Sequence, residues 1–263
     1  MPAPSIVPAR RVRSARWVLL AALVVGGTAL AYVLPGHAVI RRSVEARRDQ
    51  FSNLRVTGTL TFDHASQKAV VDRLELLSEG GQAKVDAFVT MQAPARCRID
   101  AGATDPGDPR RLSAVTSNGK RSASGPESLA LANGLEQACA MIAMRGDSRA
   151  ALEAKLRQAG VNMARTSLAR FGGQVAYVVG DEGDAAGQYW VYKDSFQPAR
   201  LRWVAKDGSR WDVRLVDYGS AAAGNAFPRV MEVYLNGQRQ VRFDALASSR
   251  PAKLDPALFT TAP

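Results

Sequence analysis

Ser117-Asn-Gly-Lys120 has the Ser-x-x-Lys spacing of acyl-serine enzymes, in which the Lys activates the nucleophile from one helical turn later. Asn118-Gly119 favours a tight turn over a helix, so this pair is expected in a hairpin, without that geometry. The chain has two His. His37 adjoins a hydrophobic segment, so a triad or multi-His metal site would rest on His64 alone. Cys97 and Cys139, the two cysteines, lack metal-ligand spacing; they are candidates for a disulfide joining a strand to a helix, or else two buried thiols. Phosphate-binding Gly-rich loops are not seen, and the Asp and Glu residues scatter over turns and wet strand faces. No catalytic residue, metal or cofactor is therefore predicted. The aromatic set Trp190, Trp203, Trp211, Tyr189, Tyr192 and Tyr234 reads as core or cross-strand partners before it reads as a ligand lining.

The net charge of +11 over 263 residues suggests nucleic acid until it is located. Residues 1–48 hold eight Arg and one Glu, which is +7 and leaves +4 for the other 215 residues. Most of the charge flanks residues 17–34, an uncharged apolar stretch preceded by Arg10, Arg11, Arg13 and Arg16, so it reads as a topology signal and nucleic acid is excluded as a partner. The stretch is an uncleaved inner-membrane anchor or an export signal, cut near Ala31 or Ala38. Either outcome places the rest of the chain in the periplasm or cell envelope. The domains are expected as 1–43, the basic region and signal or anchor helix, and 44–263, one folded domain.

Residues 44–54 read as a short lead-in helix, followed by the alternating strand Arg55-Val-Thr-Gly-Thr-Leu-Thr-Phe62, which sets Val56, Leu60 and Phe62 on one face. Residues 70–77 read as a weaker strand, and 83–91 as another with Val85 and Val89 on a shared face. Short strands at 96–99 and 111–117 precede two helices, within 126–144 and 147–160, the second capped by Asp147 and stopped at Gly160. Residues 168–179 return to strand. Three hairpins then turn at Asp194-Ser195, Asp207-Gly208 and Asn236-Gly237. They align Trp211, Val213 and Leu215, then Met231 and Val233, then Val241 and Phe243, each against a wet opposite face. The fold class is thus α+β: a strongly curved antiparallel sheet, an unclosed β-barrel with a helical lid, preceded by an N-terminal hydrophobic helix.

Several phrases, in this order, resemble the periplasmic lipoprotein carrier and receptor family of LolA and LolB and its outer-membrane lipoprotein-sorting and sigma-regulatory relatives. They are Val56-Thr-Gly-Thr, Pro94-Ala-Arg-Cys-Arg98, Ser117-Asn-Gly-Lys120, Tyr189-Trp-Val-Tyr-Lys-Asp194, Phe196-Gln-Pro-Ala-Arg-Leu201, Phe227-Pro-Arg229 and Leu254-Asp-Pro-Ala-Leu-Phe259. The resemblance implies an apolar cavity under the lid, non-catalytic, taking lipid or lipoprotein acyl chains. Its candidate lining is Val56, Leu60, Phe62, Val85, Val89, Trp211, Val213, Leu215, Met231, Val233, Val241 and Phe243. A membrane-tethered copy would depart from the freely moving carrier, and the receptor's lipidated Cys is absent. The alternative is an envelope protein-interaction or regulatory domain on the same fold, its cavity filled by its own side chains and its ligand an envelope protein partner.

Overall fold

In a computed structural model the described residues are 33–63 except 49, then 70–72, 74, 83–103, 108, 110–117, 120–123, 134, 136–143 and 149–260. All but Val33 belong to one body, Leu34–Pro263. Helix α1 (Gly36–Glu45) opens it, followed by β1 (Asn53–Phe62), β2 (Ala83–Gln92), β3 (Arg96–Gly102), β4 (Arg111–Ser117) and β5 (Lys120–Ala123). Helices α2 (Glu136–Ala143) and α3 (Arg149–Gln158) interrupt the strands. The second run is β6 (Thr166–Phe171), β7 (Gln174–Gly180), β8 (Gln188–Tyr192), β9 (Pro198–Val204), β10 (Arg210–Val216), β11 (Val230–Leu235) and β12 (Gln238–Ser249).

These twelve strands form one sheet in the order β5-β4-β3-β2-β1-β12-β11-β10-β9-β8-β7-β6, and every ladder in it is antiparallel. Two sequential meanders are joined where β12 returns to β1. β5 and β6 do not pair with one another, so the sheet is unclosed. Its curvature follows from the reach of α2, which has eight residues and touches both β4 and β9. Those strands stand seven positions apart in the sheet, about 34 Å if it were flat, whereas the helix is about 12 Å long. Only a sheet rolled around α2 allows both contacts.

The predicted turns are present. Asn236 and Gly237 have φ of 51° and 83°, as a two-residue type I′ hairpin requires, and Gly208 has φ 81°. Other segments differ from the sequence reading. Residues 168–179 are two strands, because Gly172-Gly173, with φ of 54° and 78°, folds them into the β6–β7 hairpin. Val70, Val71, Asp72 and Leu74 are helical rather than strand; Val70 and Leu74 are the buried pair, at the i, i+4 spacing of a helix face. The lead-in helix lies at Gly36–Glu45, earlier than 44–54, with Pro35 as its N-cap. The 43/44 boundary therefore falls inside α1, and Ala38, one of the two cleavage positions, lies in its first turn. Asp147, His64 and the 17–34 segment up to Tyr32 lie outside the described residues. Among the described residues no helix is long and apolar enough to cross a membrane.

Candidate ligand site on the inner face of the sheet

Cross-strand register assembles the inner face. Val56 stands opposite Val89, and Leu60 opposite both Val85 and Phe243. Phe62 meets Val241, which meets Val233, which meets Val213. Leu215 meets Met231, and Met231 meets Phe243. All twelve predicted lining residues are buried, Val85 the least so at 8% exposed. On the other face Asp212 accepts hydrogen bonds from Arg200 (2.7 Å) and Arg214 (3.0 Å), Asp100 from Arg98 (2.6 Å) and Arg111 (2.7 Å), and Glu232 from Arg239 (3.0 Å). The outer arginines named in these bonds are thus paired with carboxylates within a strand or across to its neighbour, and the apolar side is turned inward.

The aromatic set divides between the faces. Trp211 stacks on Trp203 across the β9–β10 pair, ring centroids 5.9 Å apart. Trp190 and Tyr234 lie under the guanidinium groups of Arg200 (5.2 Å) and Arg214 (3.9 Å). Tyr189 faces inward with Leu201.

Helices α1 and α2 cover the inner face. α2 buries Ala138, Cys139, Met141 and Ile142 and touches β2, β3, β4, β9 and β10. Just before it, Gly134 lies so close to Val233 that a Cβ there would overlap both Val233 methyl groups. Cys97 on β3 and Cys139 on α2 belong to elements packed against each other, and both are buried, unbridged thiols. α1 covers the β7–β8 side, with Gly36 against Val179 and Ser43 Oγ 3.1 Å from the Tyr189 hydroxyl. Among the described residues an open pocket of about 500 Å³ is lined by Thr59, Leu74, Lys84, Val85, Asp86 and Arg110, and it includes only Val85 of the predicted lining. Among the described residues the inner face is covered by α1 and α2 in this conformation.

Sequence reasoning missed the polar residues of α1. Gly36, Val39, Ile40, Ser43 and Val44 form its buried stripe, and Arg47 continues it at the next i+4 step, 1% exposed. An Arg on an apolar stripe was the available signal. Burial raises the Tyr192 hydroxyl from 10.0 to about 12, with Asp217 adding to the rise. Tyr192 donates to the Leu215 carbonyl at 3.1 Å, and burial likewise holds Tyr218 well above its usual range. A phenol pKa higher in the fold than in the unfolded chain gives stability that is whole below pH 10 and lost as pH rises through about 12. The expected result is alkaline unfolding that begins above about pH 10, with Tyr192 contributing about 3 kcal/mol of the loss. Ultraviolet difference absorbance and circular dichroism followed together should show tyrosine ionisation coinciding with unfolding; phenols that titrate normally in a folded chain would contradict it.

Of the residues with reactive chemistry, Ser117 and Lys120 pair across a hairpin at the ends of β4 and β5, as the Asn-Gly turn implied, and not on a helix. Among the described residues no cluster of three His, Cys, Asp or Glu could hold a metal.

No family model and no curated protein matches the chain. Solved structures resemble it at low identity. A LolA superfamily protein from Nitrosomonas europaea is 13% identical over 87% of this chain and 98% of its own, with a TM-score of 0.48. A domain assigned to outer membrane lipoprotein sorting in Vibrio parahaemolyticus is 9% identical over 85% and 95%, with a TM-score of 0.42. A chain of the Pseudomonas aeruginosa MucA/MucB complex is 14% identical over 87% of this chain and 64% of its own, with a TM-score of 0.31.

Proposed function

We propose that the chain is a non-catalytic, envelope-located binder of lipid or lipoprotein acyl chains, which occupy the inner face of the sheet when α2 moves aside. The observation that carries this reading is an apolar face spanning the sheet, covered by the eight-residue helix α2 and, just before it, by Gly134 against Val233. The energetics permit the exchange. The four side chains α2 buries are worth about 6 kcal/mol together, whereas one sixteen-carbon acyl chain removed from water is worth about 12 kcal/mol. A chain drawn from a bilayer leaves hydrocarbon for a hydrocarbon-like site, so its transfer term nearly cancels and uptake and release stay close to balance, as lipid handling requires. The N-terminal Arg-flanked segment would deliver the domain to the periplasmic side, tethered or released.

A second reading, an envelope protein-docking domain, is favoured by the packing of α2 on the inner face, where the twelve predicted lining residues are buried. Native mass spectrometry of the full chain extracted from a bacterial envelope separates the two. Co-purifying lipid or acylated peptide, lost when Leu60 and Val213 are each replaced by Arg, is the expected result. A bare protein mass with no uptake of added lipid would refute acyl binding and favour docking.

A further inference from the structure

The end of α1 brings a permanent positive charge beneath the surface, and no described carboxylate pairs with it. Arg47 is 1% exposed, and one of its nitrogens, Nη1, donates to Ser43 Oγ at 2.7 Å. Ser43 Oγ in turn meets the Tyr189 hydroxyl on the inner face of β8. The other two nitrogens, Nε and Nη2, are buried with no acceptor among the described residues. A guanidinium stays protonated under all ordinary conditions, so the charge is not relieved by proton loss. The C-terminal end of α1 offers some compensation through its dipole, but a dipole does not satisfy two hydrogen-bond donors.

The orphaned edge has a definite chemistry. Nε–H and Nη2–H point the same way and form the side of the guanidinium that grips an oxyanion with two parallel bonds. Elsewhere in this protein that edge is used so: Arg242 holds Asp244 through Nε (2.7 Å) and Nη2 (2.7 Å), and Arg110 holds Asp108 through Nε (3.1 Å) and Nη2 (2.7 Å). Arg47 presents the same two donors with no described carboxylate to receive them. Its neighbours on the stripe, Val39, Ile40 and Val44, are apolar and buried, as they would be beside an acyl chain.

We infer that Arg47 is the anchor for the anionic headgroup, a phosphate or carboxylate, of the amphiphile that enters the inner face. This rests on the acyl-binding reading and adds to it a charge preference: anionic amphiphiles over neutral ones. The anchor lies under α1 on the β8 side, so the acyl chains run from there toward β12 and β1.

The test uses the full chain in phosphatidylcholine nanodiscs holding either a diazirine-bearing phosphatidylglycerol or a diazirine-bearing diacylglycerol. Cross-links to inner-face residues are mapped by mass spectrometry. The wild-type chain is expected to cross-link the anionic lipid about ten- to a hundredfold more than the neutral one, the range for hydrogen bonds to a charged group. Arg47→Met is expected to abolish that preference while leaving the neutral lipid's cross-links in place. Equal labelling by the two lipids in the wild-type chain overturns the anchor even if the variant does not fold. A preference that survives in Arg47→Met overturns it too, and so does competition by inorganic phosphate alone, which would assign the edge to a free anion. Absence of inner-face cross-links with either lipid is a different failure, that of acyl binding itself.

Discussion

Replacing Phe243 by Ala is expected to lower folding stability by about 3–5 kcal/mol. Phe243 is fully buried on β12, opposite Leu60 on one side and Met231 on the other, where the two meanders meet. Its ring lies over Gly58, where an added Cβ would come within 2.5 Å of it, and it meets Phe227 edge-to-face at 6.0 Å. Removing it opens a cavity at the seam between β1 and β12, where no other element can collapse inward without breaking a ladder. Equilibrium denaturation should show a lower midpoint with little change in slope. A loss below about 1 kcal/mol would mean that the ring is not enclosed.

The second large effect is at the lid. Gly134→Leu places a branched side chain where even a Cβ overlaps Val233, so α2 cannot keep its seat. Overpacking alone costs about 1–3 kcal/mol, and losing the burial of Met141 and Ile142 adds about 3–6 kcal/mol if the helix lifts. The sheet ladders do not pass through Gly134. The expected result is therefore a chain whose strands stay protected while α2 becomes open to proteolysis and lipid uptake quickens. Unchanged protease resistance of α2 would show that the helix is not seated through Val233.

The second half of the chain was largely legible in the sequence because its signals are local. Asn236-Gly237 and Asp207-Gly208 set turn and register within a few residues, and strict alternation then assigned Val213, Met231, Val241 and Phe243 to one face. The first half was less legible. Val70, Val71, Asp72 and Leu74 fit either a strand or a helix over so short a run, and only tertiary burial of Val70 with Leu74 decides between them. Pro35-Gly36 reads as the break after a hydrophobic segment, yet Pro is also favoured at helix starts, and here it opens α1. Whether the inner face is open or filled lay beyond the sequence, because Gly134 reaches Val233 across 99 positions and α2 reaches β9–β10 across 55 to 80. Arg47 was hidden for a related reason: an Arg among other Arg residues looks solvated until the element that buries it is placed.

Hydrogen–deuterium exchange of the full chain, freed of lipid and then loaded with an acyl lipid, tests the central claim most directly. If the inner face takes acyl chains by displacing the helix above it, loading should speed exchange along α2 while β1, β2, β11 and β12 remain at least as protected as before. Identical exchange in α2 with and without lipid would contradict the claim that this helix is the movable cover of a lipid site.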